Sequence, residues 1–335
     1  MKIFRQRALF LAIVLSCAFL LITVATGAAQ SPADPLPTWN DTAVKERIID
    51  FVNAVSDPAS LSYVTEEERI AVFDLDGTIF CEKPLYLQVL IAAERLYDLA
   101  EAGPALREKA PYKGAWERDW DYISDHANYL EMNLIAFEGA TEEEYKVYVE
   151  NFLTKRKNPN FKVPYIELLY VPMLELLDFL RANNFRIYIV SGSPQEFIRS
   201  FSEEKLDIPL EMVIGDTISV EFKVRDNRAF YIRKRAVVEP EVLREGKPEN
   251  IRMRTGREPI LAFGNSNDDI AMLESASASG LPNLSLTLRH DDAKREYAYG
   301  KGADKVLAEA KKRGWVTVSM KEDFKSVFEK GIKQE

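Results

Sequence analysis

Three short apolar segments of this chain each end in a polar loop that contains glycine. They are residues 70–73, 187–190 and 260–263, and their loops begin at Asp74, Ser191 and Gly264. A continuous apolar run that stops at polar residues is typical of a buried parallel strand. With helical segments between them, such strands predict an α/β fold with a doubly wound, mostly parallel, Rossmann-like sheet. Its functional site is expected at the carboxyl ends of the strands.

Two further segments have strand character. Residues 284–288 form another apolar run, and residues 214–235 have the pattern of a hairpin that turns near Asp226 and Asn227. Asparagine and aspartate favour tight turns because they tolerate a left-handed backbone. We therefore expect a hairpin between the second and third buried strands.

Residues 84–164 interrupt the strand pattern with helical sequence, including a capping box at Thr141 and Glu144. The aromatic side chains of this segment include Trp116, Trp120, Tyr122 and Tyr129. Since large aromatic side chains are mostly buried, we expect these four to form a core rather than a ligand cage. The segment is predicted to be an inserted helical cap domain.

The segments order the chain into regions. They are a signal peptide at 1–29, an N-terminal linker and helix at 30–66, an α/β core at 67–83 and 165–335, and the helical cap at 84–164. The N-terminal helix is expected to be capped by Asn40 or Asp41. Its apolar stripe consists of Ile48, Phe51, Val52 and Val55.

The first 29 residues have the layout of a secretory signal peptide, with a basic start, an apolar run at 8–25 and small residues up to Ala29. We expect cleavage after Ala29, a periplasmic or secreted protein, and no stable membrane domain. An uncleaved anchor is the alternative, because the apolar run approaches the roughly 20 residues that span a bilayer. A lipoprotein attached at Cys17 is disfavoured, because the apolar run continues past that residue.

The composition limits which partners the protein can bind and whether it can form a disulfide. The formal net charge is -9, and removing Lys2, Arg5 and Arg7 with the signal peptide makes it more negative, which argues against a nucleic-acid partner. Cleavage would leave Cys81 as the one cysteine, so no internal disulfide could form.

The first polar loop carries two carboxylates, Asp74 and Asp76, two residues apart at a strand end. A carboxylate can attack a phosphoryl group to form a mixed anhydride, and a second one can protonate the leaving group and later activate water. We expect Asp74 and Asp76 to divide these tasks. An acidic turn or a plain cation site would explain the same two residues.

The second loop and a later lysine offer groups that could bind an anion. Ser191 supplies a hydroxyl, Gly192 lets backbone N–H groups approach an anion, and Lys247 lies shortly before the third strand. The Ser-Gly-Ser-Pro sequence is also that of an ordinary turn. Lys247 is chosen for its position alone, since most lysines are simply solvated.

The third loop, residues 264–269, is rich in oxygen ligands of the kind that Mg²⁺ prefers. Such an ion would screen the repulsion between Asp74 and an approaching phosphate. The alternative is that these residues cap the following helix.

The ordered motifs FDLDGT (73–78), VSGS (190–193), a lysine and GNSNDD (264–269) resemble those of the haloacid dehalogenase superfamily of phosphohydrolases, in its phosphoserine-phosphatase-like branch. The resemblance implies that Asp74 is the nucleophile and Asp76 the acid/base. It also implies that Ser191 and Lys247 are the serine and lysine of the active site. The long gap between the first two motifs matches members with a helical cap.

The resemblance further implies Mg²⁺ binding by the Asp74 side chain, the Asp76 carbonyl and an acidic residue of the last motif. Here the sequence departs from the pattern, because Asn265 stands where an aspartate is usual. Asp269 matches the second acid of the motif. The candidate metal ligands are therefore Asp74, Asp76, Asn265 and Asp269, with Asp268 as an alternative.

These residues together predict a Mg²⁺-dependent phosphomonoester hydrolase for a small phosphorylated metabolite, with phosphoserine among the candidates. Thr78, Gly192 and Glu82 are assigned to substrate binding, and an ordinary exposed charge is the alternative for Glu82. A dehalogenase is one alternative, although halide displacement needs neither Asp76 nor a metal. A non-catalytic exported binding protein is another, and the intact Asp74 and Asp76 pair argues against it. His290 is most simply a cap between a strand and a helix.

Overall fold

The computed structural model describes residues 34–334. The predicted signal peptide, and with it the anchor alternative, lies outside the described residues. Within residues 34–334, no helix has both the length and the apolar character needed to cross a membrane.

A six-stranded, all-parallel sheet forms the centre of the fold, with the strand order β3-β2-β1-β6-β7-β8. Its strands are β1 (Ile70–Phe73), β2 (Arg186–Pro194), β3 (Val213–Asp216), β6 (Leu261–Gly264), β7 (Leu284–Arg289) and β8 (Val316–Ser319). The predicted doubly wound sheet is confirmed. The edge strands β3 and β8 were not predicted.

A separate antiparallel hairpin follows β3 and consists of β4 (Ile218–Arg225) and β5 (Arg228–Val237). Its turn lies at Asp226 and Asn227, whose φ angles are 52° and 58°. The predicted turn is therefore confirmed. The predicted start of the hairpin at residue 214 is wrong, because that residue pairs with β2 in the main sheet.

Helices cover both faces of the sheet. They are α1 (Ala43–Ser56), α2 (Leu87–Ala102), α3 (Tyr112–Trp116), α4 (Trp120–Ser124), α5 (Tyr129–Ala136), α6 (Glu142–Lys155), α7 (Val171–Ala182), α8 (Gln195–Arg199), α9 (Ser202–Leu206), α10 (Gly246–Thr255), α11 (Ile270–Ser277), α12 (Asp304–Arg313) and α13 (Met320–Asp323).

Strand β1 shows why the sheet is buried on both sides. Successive side chains of a strand point to opposite faces. Ala71 and Phe73 pack into one apolar cluster, while Ile70 and Val72 pack into the other, and all four are fully buried. A strand covered on both faces must be apolar throughout, which is the pattern seen in the sequence.

The N-terminal helix α1 buries its predicted stripe of Ile48, Phe51, Val52 and Val55. Its cap is Thr42, whose side chain accepts a hydrogen bond from the Lys45 backbone N–H. The predicted caps, Asn40 and Asp41, are therefore wrong. The Thr42 hydroxyl also donates to Asp323 at 2.8 Å, so contact with the C-terminal part of the chain favours this residue.

The segment between β1 and α7 contains five helices, α2 to α6, and the capping box at Thr141 and Glu144 is confirmed. The hairpin packs on this segment, with a 2.8 Å ion pair between Arg233 and Glu142. The expectation that all four aromatics are core is wrong for Trp120, which is 53% exposed. The boundaries of the cap stay a prediction.

Candidate active site

The carboxyl ends of β1, β2 and β6 lie side by side, since β1 pairs with both of the other strands. A cavity of about 280 Å³ opens between these ends and helix α5. Six of the predicted site residues line it: Asp74, Asp76, Glu82, Ser191, Gly192 and Lys247. The sheet therefore brings together side chains that are distant in the sequence.

Asp74 lies directly after β1 and is held from two sides. Its backbone N–H donates to the Phe263 carbonyl at 2.9 Å, and its Oδ1 accepts a 2.7 Å bond from Lys247 Nζ. Burial raises the pKa of Asp74, the nearby Asp269 carboxylate adds to the rise, and Lys247 opposes it. The ammonium of Lys247 is thus the main group that favours the ionised form of Asp74.

Lys247 lies in the first turn of α10 and is almost completely buried. Its Nζ donates to Asp74 at 2.7 Å, to Asp269 at 2.6 Å and to the Val190 carbonyl at 3.1 Å. Burial by itself would lower the pKa of Lys247, but the Asp269 and Asp74 carboxylates raise it overall. Lys247 therefore stays charged beside Asp74, and its role in an active site stays a prediction.

Asp269 is fully buried, and both of its oxygens are already engaged. Oδ1 accepts from Lys247, and Oδ2 accepts from the backbone N–H groups of Asn265 and Ser266, each at 2.9 Å. The geometry thus makes Asp269 a partner of Lys247 and a brace for its own loop. It does not support the expectation that Asp269 is a direct metal ligand.

Asp76 combines burial with hydroxyl donors. Ser193 Oγ donates to its Oδ2 at 2.7 Å, while Ser191 Oγ lies at 3.5 Å from the same atom. Burial raises the pKa of Asp76 to about 6, although the Ser193 hydrogen bond opposes the rise. Its Oδ1 is buried without a hydrogen-bond partner among the described residues. Asp76 can therefore take up or release a proton near neutral pH.

Ser193 is the stronger serine partner of this aspartate, and the sequence interpretation had singled out Ser191 instead. Ser191 Oγ accepts the Ser193 backbone N–H at 3.1 Å, which shapes the loop. Ser193 was visible in the Ser-Gly-Ser-Pro sequence, but which hydroxyl points at Asp76 depends on how the chain turns after β2.

The three oxygens expected to bind a metal do converge. Asn265 Oδ1 lies 3.2 Å from Asp74 Oδ2 and 3.1 Å from the Asp76 carbonyl oxygen. A cation placed among them would relieve their mutual repulsion, and it would balance a buried site in which Asp74 and Asp269 share the single ammonium of Lys247. These residues therefore fit a hard cation.

Asn265 also allows this site to exist without a cation. Turned by 180°, its amide N–H group would donate to Asp74 Oδ2 and to the Asp76 carbonyl. An aspartate at this position could not do so, because an ionised carboxylate only accepts hydrogen bonds. Within residues 34–334, no cluster of three His, Cys, Asp or Glu side chains forms a metal site. The candidate site depends instead on a carboxylate, an amide and a backbone carbonyl.

The residues assigned to substrate binding have different environments. Thr78 is fully buried behind the cavity and hydrogen-bonds to Asn265, so its position does not support contact with a substrate. Gly192 lies on the cavity wall, where a Cβ would come within 2.5 Å of Leu243. Glu82 lines the cavity beside Tyr86, with its Oε1 3.2 Å from Lys83 Nζ.

Several residues of the cavity were not assigned to the site from the sequence, and Tyr129 and Asp216 are two of them. Tyr129, expected in a core, lines the cavity. Asp216 ends β3 and accepts the Val242 backbone N–H at 2.7 Å, and burial raises its pKa to about 7. The signal for Asp216 was an acidic residue at the end of an apolar run, which went unrecognised because β3 was assigned to the hairpin.

Comparison with known proteins gives a family match and several similar structures. Residues 71–274, more than half of the chain, match the model of the haloacid dehalogenase-like hydrolases. No curated protein matches the sequence significantly.

Among solved structures, a functionally unknown protein from Anaerococcus prevotii DSM 20548 is 16% identical, with a TM-score of 0.52 over 82% of this chain and 91% of that one. A protein of unknown function from Bordetella pertussis Tohama I is 16% identical, with a TM-score of 0.49 over 75% and 98% of the two chains. A phosphoserine phosphohydrolase-like protein from Francisella tularensis subsp. tularensis SCHU S4 is 18% identical, with a TM-score of 0.41 over 75% and 94%. The similarity to the Anaerococcus protein shows a shared fold.

Proposed function

Because the chain belongs to the haloacid dehalogenase-like hydrolases, we propose that it is a Mg²⁺-dependent phosphomonoesterase that forms an aspartyl-phosphate on Asp74. The observation that carries the proposal is the contrast between two neighbouring carboxyl groups. Asp74 accepts a hydrogen bond from the Lys247 ammonium, whereas Asp76 accepts one from the Ser193 hydroxyl and has a second oxygen without a partner among the described residues. One group suits nucleophilic attack and the other suits proton transfer.

The reaction follows from these roles. An Asp74 oxygen attacks phosphorus and the bond to the alcohol oxygen breaks, while protonated Asp76 gives its proton to the departing alkoxide. Asp76, now a carboxylate, takes a proton from water, and that water attacks the phosphorus of the aspartyl-phosphate. Inorganic phosphate leaves, Asp74 is regenerated as a carboxylate, and Asp76 is protonated again for the next cycle.

Asp74, the Asp76 carbonyl and Asn265 would hold Mg²⁺, and the chemistry that it supplies when bound is the screening of negative charge on the phosphate. Lys247 would contribute a fixed positive charge next to the nucleophile. The cavity of about 280 Å³ is at the small end of ligand sites, which supports a small phosphorylated metabolite as the substrate.

The experiment that tests this proposal is a screen of phosphomonoesters, including phosphoserine and a chromogenic aryl phosphate, on the purified protein with and without Mg²⁺. Release of inorganic phosphate supports a phosphatase. Binding without turnover would instead indicate a non-catalytic binding protein, and release of halide from a haloacid would indicate a dehalogenase.

The substitution Asn265→Asp tests the metal site. It adds a negative charge at nearly constant shape and removes the amide that can replace the cation, so we expect Mg²⁺ to bind at least about tenfold more tightly. The turnover rate need not rise, because the added charge also opposes the incoming phosphate. Asn265→Ala should weaken binding. Calorimetric titration measures the Mg²⁺ affinity of the wild-type protein and of both variants. Equal affinities would show that Asn265 is not a ligand.

We also propose that the protein is exported and that its mature form begins near Gln30, in the periplasm or outside the cell. The basic start, apolar run and small residues of the first 29 positions support this location. N-terminal sequencing of the chain recovered from cell fractions is the measurement. A full-length chain in the membrane fraction would show that residues 8–25 are an anchor.

A further inference from the structure

A buried polar network lies on the far side of the loop that carries the two aspartates. His290 follows β7, and its Nε2 lies 2.7 Å from the Gly77 carbonyl oxygen, 213 positions away in the sequence. His290 was expected to be a helix cap. This expectation is wrong, because residues 293–295 form a turn and the next helix begins only at Asp304; Asp292 Oδ1 accepts the backbone N–H groups of Lys294 and Arg295 in that turn. The His290 side chain is therefore free for another role.

The second ring nitrogen of His290 is also engaged. Nδ1 lies 3.3 Å from Oε2 of Glu296, and the two side chains are 2% and 0% exposed. The His290 ring stacks on Tyr299, with the ring centroids 4.3 Å apart. Both the position and the tilt of the imidazole are thus determined by its surroundings.

The Gly77 carbonyl determines which ring nitrogen of His290 carries a hydrogen. A carbonyl oxygen only accepts, so Nε2 must carry the hydrogen that it shares with Gly77. Glu296 Oε1 accepts from the Tyr170 hydroxyl at 3.1 Å and from the Cys81 thiol at 3.2 Å, which holds the Glu296 side chain in place. The other oxygen of Glu296, Oε2, faces Nδ1 of His290.

Gly77 is the flexible point of the loop. Its φ is +76°, and a Cβ there would come within 2.1 Å of Asn265, so the position requires glycine. Glycine leaves the neighbouring peptide groups free to rotate. The backbone N–H of Gly77 donates to the Phe80 carbonyl at 2.7 Å, and the carbonyl oxygen of Gly77 lies 2.7 Å from His290 Nε2.

We propose that His290, oriented by Glu296, is a positioning residue that fixes the peptide group of Gly77 and thereby holds residues 74–78 in the conformation that the reaction needs. The fixed peptide groups direct the Asp76 carbonyl toward Asn265 and set where the Asp76 side chain begins. The role in catalysis rests on the proposed function, whereas the hydrogen bond to Gly77 does not.

The hydrogen bond is tested by the tautomer of His290. The chain has two histidines, so the long-range ¹⁵N spectrum of histidine-labelled protein is simple, and His290→Gln identifies the signal of His126. We expect Nε2 of His290 to carry a hydrogen, because it faces the Gly77 carbonyl oxygen. An unprotonated Nε2 would overturn the proposal, whether or not the protein is a phosphatase.

The positioning role is tested by two substitutions, each of which keeps a polar group near one of the two ring nitrogens of His290. His290→Gln places an amide near the Nε2 position and can still donate to Gly77, whereas His290→Asn reaches only the Nδ1 position and Glu296. We expect kcat of the Asn variant to fall about 10–100-fold with little change in KM, and the Gln variant to keep most of its kcat. Both variants lose the stack on Tyr299, so their melting temperatures should fall alike. Equal losses of kcat in the two variants would contradict the role.

Discussion

The Asp74→Asn variant should lose turnover by about 1000-fold or more while keeping its fold, because an amide cannot attack phosphorus. The substitution also removes one of two carboxylates that share the Lys247 ammonium. Since burial raises the pKa of Asp74 in the folded protein, its ionised form destabilises the fold at neutral pH, and the neutral amide should leave the melting temperature unchanged or higher.

The measurements for this variant are steady-state turnover of an aryl phosphate, the melting temperature, and acid-quench labelling with a ³²P-labelled substrate. The wild-type protein should form a covalent phosphoprotein and the variant should not. A residual rate above a few per cent of wild type, at an intact melting temperature, would rule out Asp74 as the nucleophile. Equal labelling of both proteins would place the covalent phosphate elsewhere.

The Asp76→Asn variant should be slowed about 100- to 10,000-fold with an alkyl phosphate, since both proton transfers are lost. An aryl phosphate, whose leaving group needs no acid, should still phosphorylate Asp74. Water attack then becomes the slow step, and we expect a burst of released phenolate with accumulation of the phosphoprotein. Rapid mixing with acid quench measures both. Absence of a burst and of covalent phosphate would favour direct attack of water on the substrate.

Asp76 also determines a pH dependence. Its pKa is about 6, so the protonated form needed for the first step declines as the pH rises above that value. The wild-type kcat/KM for an alkyl phosphate should therefore decrease as the pH rises above about 6. The Asp76→Asn variant should not show this decrease. Ser193→Ala is a matched control. It removes a hydrogen bond that lowers the pKa of Asp76, so the fall should move to higher pH.

The amino-acid sequence alone determined the parts of this protein that depend on local patterns. Strand β1 was recognised because a strand covered on both faces must be apolar at every position. The capping box of α6 was recognised because its two side chains and two backbone groups lie within four residues. Parallel strands end at a common edge of the sheet, so the proximity of Ser191 to the loop of Asp74 and Asp76 could be expected before the geometry was known.

Tertiary structure alone decided which segments form the edge strands and which hydrogen-bond partners the buried polar side chains have. Strand β8 is only half buried over its first two residues, so its pattern does not differ from that of a loop until it pairs with β7. Asp269 was a metal candidate by motif, and the packing of α10 against the sheet gave its oxygen to Lys247 instead. His290 reaches Gly77 only because β7 ends behind the loop that follows β1. The donor–acceptor distance of a hydrogen bond can vary by only a few tenths of an ångström. Backbone positions far apart in the sequence determine whether that distance is reached.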